Sequence, residues 1–540
     1  MFCNQCEQTA KGTGCTTHGV CGKDEYIADL QDLIVYALRG LAITALQAAE
    51  KGEKDMECGR LCVRGLFSTV TNVNFDRKPL REMLDAIVEA RDVLAKKTGL
   101  TPTLPVTTFV PAESDEGLAD QHRQAATTQL APDADRNALA QTLLYGLKGT
   151  SAYADHASIL GQEKWELYEA IYKGLAFGFD GKDRTLDEWI AEVLECGRTN
   201  FLAMELLDAG NTGTYGHPEP TEVALEPKPG KAILVTGHDL KDLHDLLVQT
   251  EGKGINVYTH GEMLPAHGYP ELKKFMHLAG HFGTAWQNQQ KEFPEFPGPI
   301  LFTTNCIQKP AANYIDRVYT TGLVGWPGVK HVQNGDFGAL IEAAEALPGY
   351  TEDDETRGSR PVMVGFGHNT IKSVANKVLE CIRAGRIRHI FLVGGCDGAK
   401  PGRNYYTEFV EKTPDDSLVL TLACGKFRFF DRELGDIGGI PRLLDVGQCN
   451  DAYSAVVVAK ALADGCGCEI NELPLSLILS WYEQKAVAIL LSLLALGVTG
   501  IRLGPTLPAF VTPAVLDVLV KTFDIKPITT PDEDLKAILG

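Results

Sequence analysis

KAILVTGHDL, residues 231–240, marks the change of texture that decides the fold. A nearly continuous apolar run, Ile233-Leu-Val-Thr, ends at Gly237, and His238 and Asp239 stand before the next helical stretch. The pattern recurs at Ile255-Asn-Val-Tyr and Ile300-Leu-Phe-Thr. A second series follows at Val362-Met-Val-Gly, Ile390-Phe-Leu-Val, Leu418-Val-Leu-Thr and Leu443-Leu-Asp-Val. Short apolar strands separated by helices indicate parallel sheets covered on both faces. The acidic piece Tyr350 to Arg360 divides the two series. The doubling suggests an ancient duplication, although no sequence period repeats.

Before Lys231 the pattern is helical. Tyr26 to Glu50, Leu80 to Lys97, Asn137 to Tyr153 and Leu186 to Leu207 carry apolar residues at spacings of three and four, and clear β-runs are missing. Thr101 to Ala112 reads as a loop joining two helical bundles, and His217 to Gly230 as a domain boundary. The expected fold is multidomain α and α/β, a helical N-terminal domain followed by two Rossmann-like parallel-sheet domains. Its expected limits are residues 1–223, 224–356 and 357–540.

The length of 540 residues fits about three domains. A net charge of −20 argues against nucleic acid and anionic membrane surfaces as partners, and leaves room for a basic electron-donor protein. MFCNQCEQT shows no secretory signal. The longest uncharged apolar stretch, Ala486 to Ile501, falls short of the ~20 residues that span a bilayer, and reads as a buried helix, a turn and a strand. A soluble cytoplasmic protein is expected. Fourteen cysteines over this length are too sparse for a disulfide scaffold, so each is a metal ligand, a redox group or an inert core thiol.

Cys3, Cys6, Cys15 and Cys21 form C-x2-C-x8-C-x5-C. Four thiolates on glycine-rich turns suit tetrahedral zinc or an iron–sulfur cluster, and spacing alone does not separate the two. A second set is spread along the chain. His238 follows the first strand, Glu262 the second, and Cys306, Cys396, Cys424 and Cys449 end LFTTNC, FLVGGC, LTLAC and LLDVGQC. The edge beyond the C-terminal ends of strands is where open α/β sheets bind ligands. A lone cysteine there is usually inert and a lone histidine or glutamate usually a turn residue, but scattered residues have no reason to share one kind of position. Glu483 lies in an apolar stretch, Leu477 to Leu490, read as a buried helix, where a carboxylate is costly unless paired or bound to metal. Lys485, two residues on, points to a different helix face. Four thiolates, one imidazole and two carboxylates exceed the needs of a cubane. They fit an opened cluster with an exchangeable iron position.

The motifs FCNQCEQT, GHDL, HGEMLPAH, TTNC, VGGCDG, ACGK, VGQCND and WYEQKA occur in this order. In them the chain resembles the hybrid-cluster protein family, also called prismane protein or hydroxylamine reductase, in its class with an N-terminal [4Fe-4S] cubane. The resemblance implies a cubane on Cys3, Cys6, Cys15 and Cys21. It implies a hybrid [4Fe-2S-2O] cluster on His238, Glu262, Cys306, Cys396, Cys424, Cys449 and Glu483. It also implies that Cys396 can carry a persulfide, for which Gly394 and Gly395 would leave room. The expected reaction is reduction of hydroxylamine to ammonia and water, with nitric oxide reduction or a protein S-nitrosylating role under nitrosative stress as alternatives. Glu262, His267, Glu483 and Lys485 are the expected acids, and a separate protein the electron donor. Carbon monoxide dehydrogenase-like activity and a structural zinc protein are the rivals.

Gly365-Phe-Gly367 lacks the third glycine of the dinucleotide fingerprint. Cys58 and Cys62 read as structural thiols, Cys466 and Cys468 as loop residues, Cys196 and Cys381 as helical, and His244 as a solvated helix residue. Asn72 and Asn74 are candidates to reach the site across a domain interface.

Overall fold

A computed structural model describes residues 1–125, 129–355 and 360–540. Seven helices form the N-terminal region: α1 Glu25–Glu50, α2 Met56–Ser68, α3 Arg77–Thr98, α4 Asp115–Ala125, α5 Ala134–Ile159, α6 Trp165–Ala176 and α7 Leu186–Tyr215. Their ends are written in the sequence. The Asp24 carboxylate accepts from the Ile27 amide to start α1, Thr185 and Glu188 close a capping box on α7, and Gly99 ends α3 in the left-handed conformation. α1 is long and apolar enough to cross a membrane, but most of it is buried against α2, α3 and α6. α2, α4 and α6 escaped the sequence reading.

The rest of the chain builds two six-stranded parallel sheets. The first contains β2 Lys231–Thr236, β3 Ile255–His260, β4 Leu278–His281, β5 Ile300–Phe302, β6 Val318–Thr320 and β7 Lys330–His331, in the order β4-β3-β2-β5-β6-β7. The second contains β9 His389–Gly395, β10 Ser417–Leu422, β13 Leu443–Gly447, β14 Leu475–Ser480, β15 Arg502–Gly504 and β16 Lys526–Pro527, in the order β13-β10-β9-β14-β15-β16. A hairpin, β11 Asp436–Ile437 with β12 Ile440–Pro441, lies between β10 and β13. Both sheets are doubly wound in the same way, third-second-first-fourth-fifth-sixth, so the doubling seen in the sequence is a repeated topology. Each reverses direction beside its first strand, between β2 and β5 and between β9 and β14. That reversal is the ligand-binding crevice of such sheets.

Several expectations change. Val362–Val364 (β8) is no part of a parallel sheet; it pairs antiparallel with β1, Thr221–Val223, and ties the boundary region to the last domain. The boundary expected at 356/357 lies outside the described residues. Leu477 to Leu490 is not one helix. It comprises the end of β14, a turn, and the start of the helix Gln484–Ala495, whose N-cap is Glu483. Cys466 is the last residue of the helix Ala452–Cys466 rather than a loop residue.

The helix Gln484–Ala495 seats itself between α5 and α7 because glycines let it approach. A Cβ on Gly149 would collide with the Gln484 carbonyl oxygen, and one on Gly197 with that of Leu491. The N-terminal helices thus meet the last domain at this helix, and Lys485 at its start also reaches Asn305 of the first sheet domain.

Asp155, on the buried face of α5, shows what this close junction does to a carboxylate. Burial raises its pKa from 3.8 to about 6, against the pull of Arg64 3.7 Å away. Because the folded-state value exceeds the unfolded one, stability is lost as pH rises from about 4 through about 6. Asp155→Asn removes that loss, and thermal unfolding followed across pH should show a higher midpoint than the unaltered chain at pH 8 and no gain at pH 4. The gain is bounded by about 2–3 kcal/mol.

Candidate metal centres

Every residue of the second set stands just past the C-terminal end of a strand. His238 follows β2, Glu262 β3 and Cys306 β5; Cys396 follows β9, Cys424 β10, Cys449 β13 and Glu483 β14. Four of them flank the two switch points. The backbone aims them inward: Gly237 and Gly395, at φ +119° and +105°, turn the chain out of β2 and β9, and a Cβ at either would strike Thr303 or Ser480. Two of the non-glycine residues with positive φ fall in or beside this set, Cys306 at φ +72° and Ala423, just before Cys424, at φ +63°. Such strain persists where surrounding structure holds a functional geometry.

The ligand-type atoms of His238, Glu262 and Cys449 lie within 4.8 Å of one another. His238 Nε2 is 3.3 Å from Glu262 Oε2, which accepts the Cys449 amide at 2.8 Å. The Thr304 hydroxyl meets His238 Nδ1 at 3.0 Å and so turns Nε2 toward the centre. Gln448 stitches the domains by donating to the carbonyls of His238 and Glu262. Cys306, Cys396 and Cys424 lie within electrostatic reach of Glu262, and Glu483 within reach of Cys306 and Cys396, which gathers these four about the trio. Lys485 joins them. Its Nζ is 3.2 Å from His238 Nε2, 3.0 Å from Asn305 Oδ1 and 3.7 Å from Glu483 Oε1. The expectation that Lys485 points away from Glu483 fails because Glu483 is an N-cap, outside the helical geometry on which that expectation rested; its carboxylate accepts the Lys485 amide.

Burial pushes the Cys306, Cys424 and Cys449 thiols up, and Cys396 to about 12. Four thiols beside two carboxylates and one ammonium are under-compensated in this buried pocket. A soft cation held here would supply the missing charge and let the thiols ionise. The donor set fits a mixed sulfur, nitrogen and oxygen metal centre.

The N-terminal cysteines also converge. Cys3 and Cys15 form a reciprocal backbone bridge, the Ala10 amide points at the Cys15 sulfur at 3.4 Å, and Cys6 and Cys21 lie within electrostatic reach of Cys3. Burial raises the pKa of Cys6 and Cys21. Two buried lysines that sequence reasoning missed stand by them. Lys23 faces Cys3, Cys6 and Cys21, and Lys148 donates to Gln5, its pKa lowered by burial to about 8. Cationic side chains around four thiols suit an anionic cluster.

The two sets are joined directly. The Glu7 amide donates to the Tyr482 carbonyl, Gln484 donates to the Gln5 carbonyl, and the Tyr482 hydroxyl donates to Gln8. Arg403 grips Glu7 at 2.6 Å and the Cys396 carbonyl at 3.2 Å. The Tyr482 ring, 4.4 Å from that of Trp286, lies within electrostatic reach of Cys6 and Cys21 of the first set and of Cys306 and Glu483 of the second.

Residues 1–536 match the family described as Prismane/CO dehydrogenase. The chain belongs to it. Hydroxylamine reductases of Syntrophobacter fumaroxidans and Solidesulfovibrio magneticus are 62% and 61% identical to this family member, each aligned over all of both chains. Among solved structures, the Ni-free carbon monoxide dehydrogenase of Thermococcus sp. AM4 superposes with a TM-score of 0.56 at 17% identity, covering 99% of this chain and 90% of that one. Carbon monoxide dehydrogenase IV of Carboxydothermus hydrogenoformans gives 0.56 at 16%, covering 99% and 92%. These last two show the shared fold.

In this prismane-family chain some expected residues stand elsewhere. The His267 Nε2 meets the Thr259 hydroxyl at 2.9 Å, which also meets His281, and no hydrogen bond or ion pair among the described residues joins His267 to the convergent set. Gly394 and Gly395 leave no open room: a Cβ at either meets the backbone of Leu422 or Ser480, so close strand packing explains the pair. Asn72 and Asn74 do cross an interface, by donation from the Ile307 amide to the Asn72 carbonyl and from the Asn74 side chain to the Leu323 carbonyl. Cys58 and Cys62 are buried within α2. α5 contributes Tyr153 and His156, which sequence reasoning missed; their signal was a helix combining small residues with buried Ser151, Tyr153, Asp155 and His156.

Proposed function

We propose that this chain is an iron–sulfur oxidoreductase that reduces hydroxylamine, NH2OH + 2 e− + 2 H+ → NH3 + H2O. The observation that carries this reading is the gathering of seven ligand-type side chains from strand ends of both sheets about one buried ammonium; the relatives named hydroxylamine reductase over their full length support the substrate. His238, Glu262, Cys306, Cys396, Cys424, Cys449 and Glu483 would hold a hybrid [4Fe-2S-2O] cluster, and Cys3, Cys6, Cys15 and Cys21 a [4Fe-4S] relay supplied by a separate electron-donor protein. When bound, the hybrid cluster supplies electrons and a Lewis-acidic position for a small nitrogen oxide.

The side chains do the rest. Lys485 Nζ holds a proton where thiols and carboxylates converge. Burial disfavours its charge, but Cys449, Glu483, Cys306 and Glu262 outweigh burial and keep it protonated. Glu483 lies 3.7 Å from it and is raised by burial, so this carboxyl and the ammonium form a proton-holding pair. Glu262, fixed by the Cys449 amide, orients the His238 side of the pocket. His267, occupied by Thr259, takes no part.

Anaerobically purified protein should contain about eight irons per chain and form ammonia from hydroxylamine with a reduced dye. Iron-free protein, or iron-replete protein that forms no ammonia, overturns the reading. Nickel in the preparation would favour the carbon monoxide dehydrogenase alternative.

A further inference from the structure

Buried polar atoms without partners are rare in a packed interior, because each has given up water for nothing. Three such atoms, left without an oxygen or nitrogen partner, surround the candidate centre: His156 Nε2, Asn305 Nδ2 and the Tyr153 hydroxyl, whose hydrogen-bonding neighbour is the Cys449 sulfur, a weak acceptor. Their residues are 9%, 1% and 2% exposed. They share one locality. Tyr153 has Cys449, Glu483 and Glu262 as electrostatic neighbours, and His156 has His238 and Lys485. Asn305 turns its Oδ1 to Lys485 Nζ at 3.0 Å, and since an ammonium can only donate, the amide nitrogen must face the other way. Tyr153 and His156 stand three residues apart on one face of α5, which Gly149 holds against the start of the helix Gln484–Ala495.

We propose that Tyr153, His156 and Asn305 are the substrate-binding wall of the site, taking the hydroxyl end of hydroxylamine by hydrogen bonds. The inference rests on the function proposed above and adds three residues from outside the metal-ligand set. A hydroxyl both gives and takes hydrogen bonds; a phenol, a ring nitrogen and an amide NH2 supply both kinds of partner. A diatomic gas would have little use for such a wall. A site built to bond a hydroxyl discriminates against an analogue lacking it, because its buried groups are then left unpaired. O-methylhydroxylamine, whose oxygen carries no hydrogen, is the matching probe.

The test uses the iron-replete holoenzyme, unaltered and as Tyr153→Phe and His156→Leu. Iron content should be unchanged in both variants, and the resting EPR spectrum unchanged in His156→Leu. For each, KM for hydroxylamine should rise about tenfold with kcat falling less than about threefold, and the preference for hydroxylamine over O-methylhydroxylamine should shrink about tenfold. The hydroxylamine concentration that half-converts the EPR signal of the oxidised protein should rise in parallel, a binding readout independent of turnover. Unchanged KM, preference and EPR titration would overturn the proposal. So would loss of iron, which would make these residues supports of the centre. If His156→Leu fails to fold, the isosteric Tyr153→Phe decides. Absence of hydroxylamine reduction in the unaltered protein would instead sink the function reading itself.

Discussion

Glu483→Gln should cut hydroxylamine turnover about a hundredfold or more while the chain stays folded. The carboxylate sits where three roles meet. It caps the helix Gln484–Ala495 by accepting the Lys485 amide at 2.9 Å, lies 3.7 Å from Lys485 Nζ, and follows β14 at the switch point of the second sheet. Glutamine keeps an oxygen for the cap, so the helix survives. It cannot hold a negative charge for a metal or share a proton with Lys485, and loss of a positioned acid alone costs about 10²–10⁴ in rate. Iron analysis and spectroscopy should show the cluster proposed for the four N-terminal cysteines unchanged. Turnover within a factor of three of the unaltered enzyme would refute the assignment.

Arg403→Met should be the most damaging single change away from the proposed ligands. Arg403 and Glu7 have side chains 1% and 0% exposed, and the guanidinium also bonds the carbonyls of Trp481 and Cys396. Removing one partner of a buried ion pair strands the other, at about 3–5 kcal/mol. The apparent unfolding midpoint should fall by several degrees, and adding Glu7→Gln should recover part of the loss, since the stranded charge goes with it. A midpoint that does not move, or a double variant no better than the single one, would show that the pair does not hold the N-terminal loop in place.

Six of the seven strands that precede the candidate ligands were legible because they are apolar along their length and lead into a soft or ionisable residue, as in KAILVTGH and HIFLVGGC; β14, before Glu483, reads as helix instead. β6, β7, β15 and β16 were not: at two or three residues, some of them polar, they have no period to read, and their pairing is set by neighbours remote in sequence. Glu483 shows the limit most clearly. The sequence marks it as a costly carboxylate in an apolar stretch but hides its relation to Lys485, since hydropathy does not reveal where a strand stops and a helix starts. Lys23, Lys148, Tyr153 and His156 gave no spacing signal at all. They matter through what packs against them.

The hydrogen bond from Gln484 to Gln5 spans 479 residues of chain. At about 5–20 residues per second, a ribosome takes roughly half a minute to a minute and a half to deliver the second partner after the first. Throughout that interval Cys3, Cys6, Cys15 and Cys21 lack the surroundings that shield them in the finished molecule. Maturation is therefore expected to be largely post-translational for both centres, and nascent chains should be the form most vulnerable to oxidants.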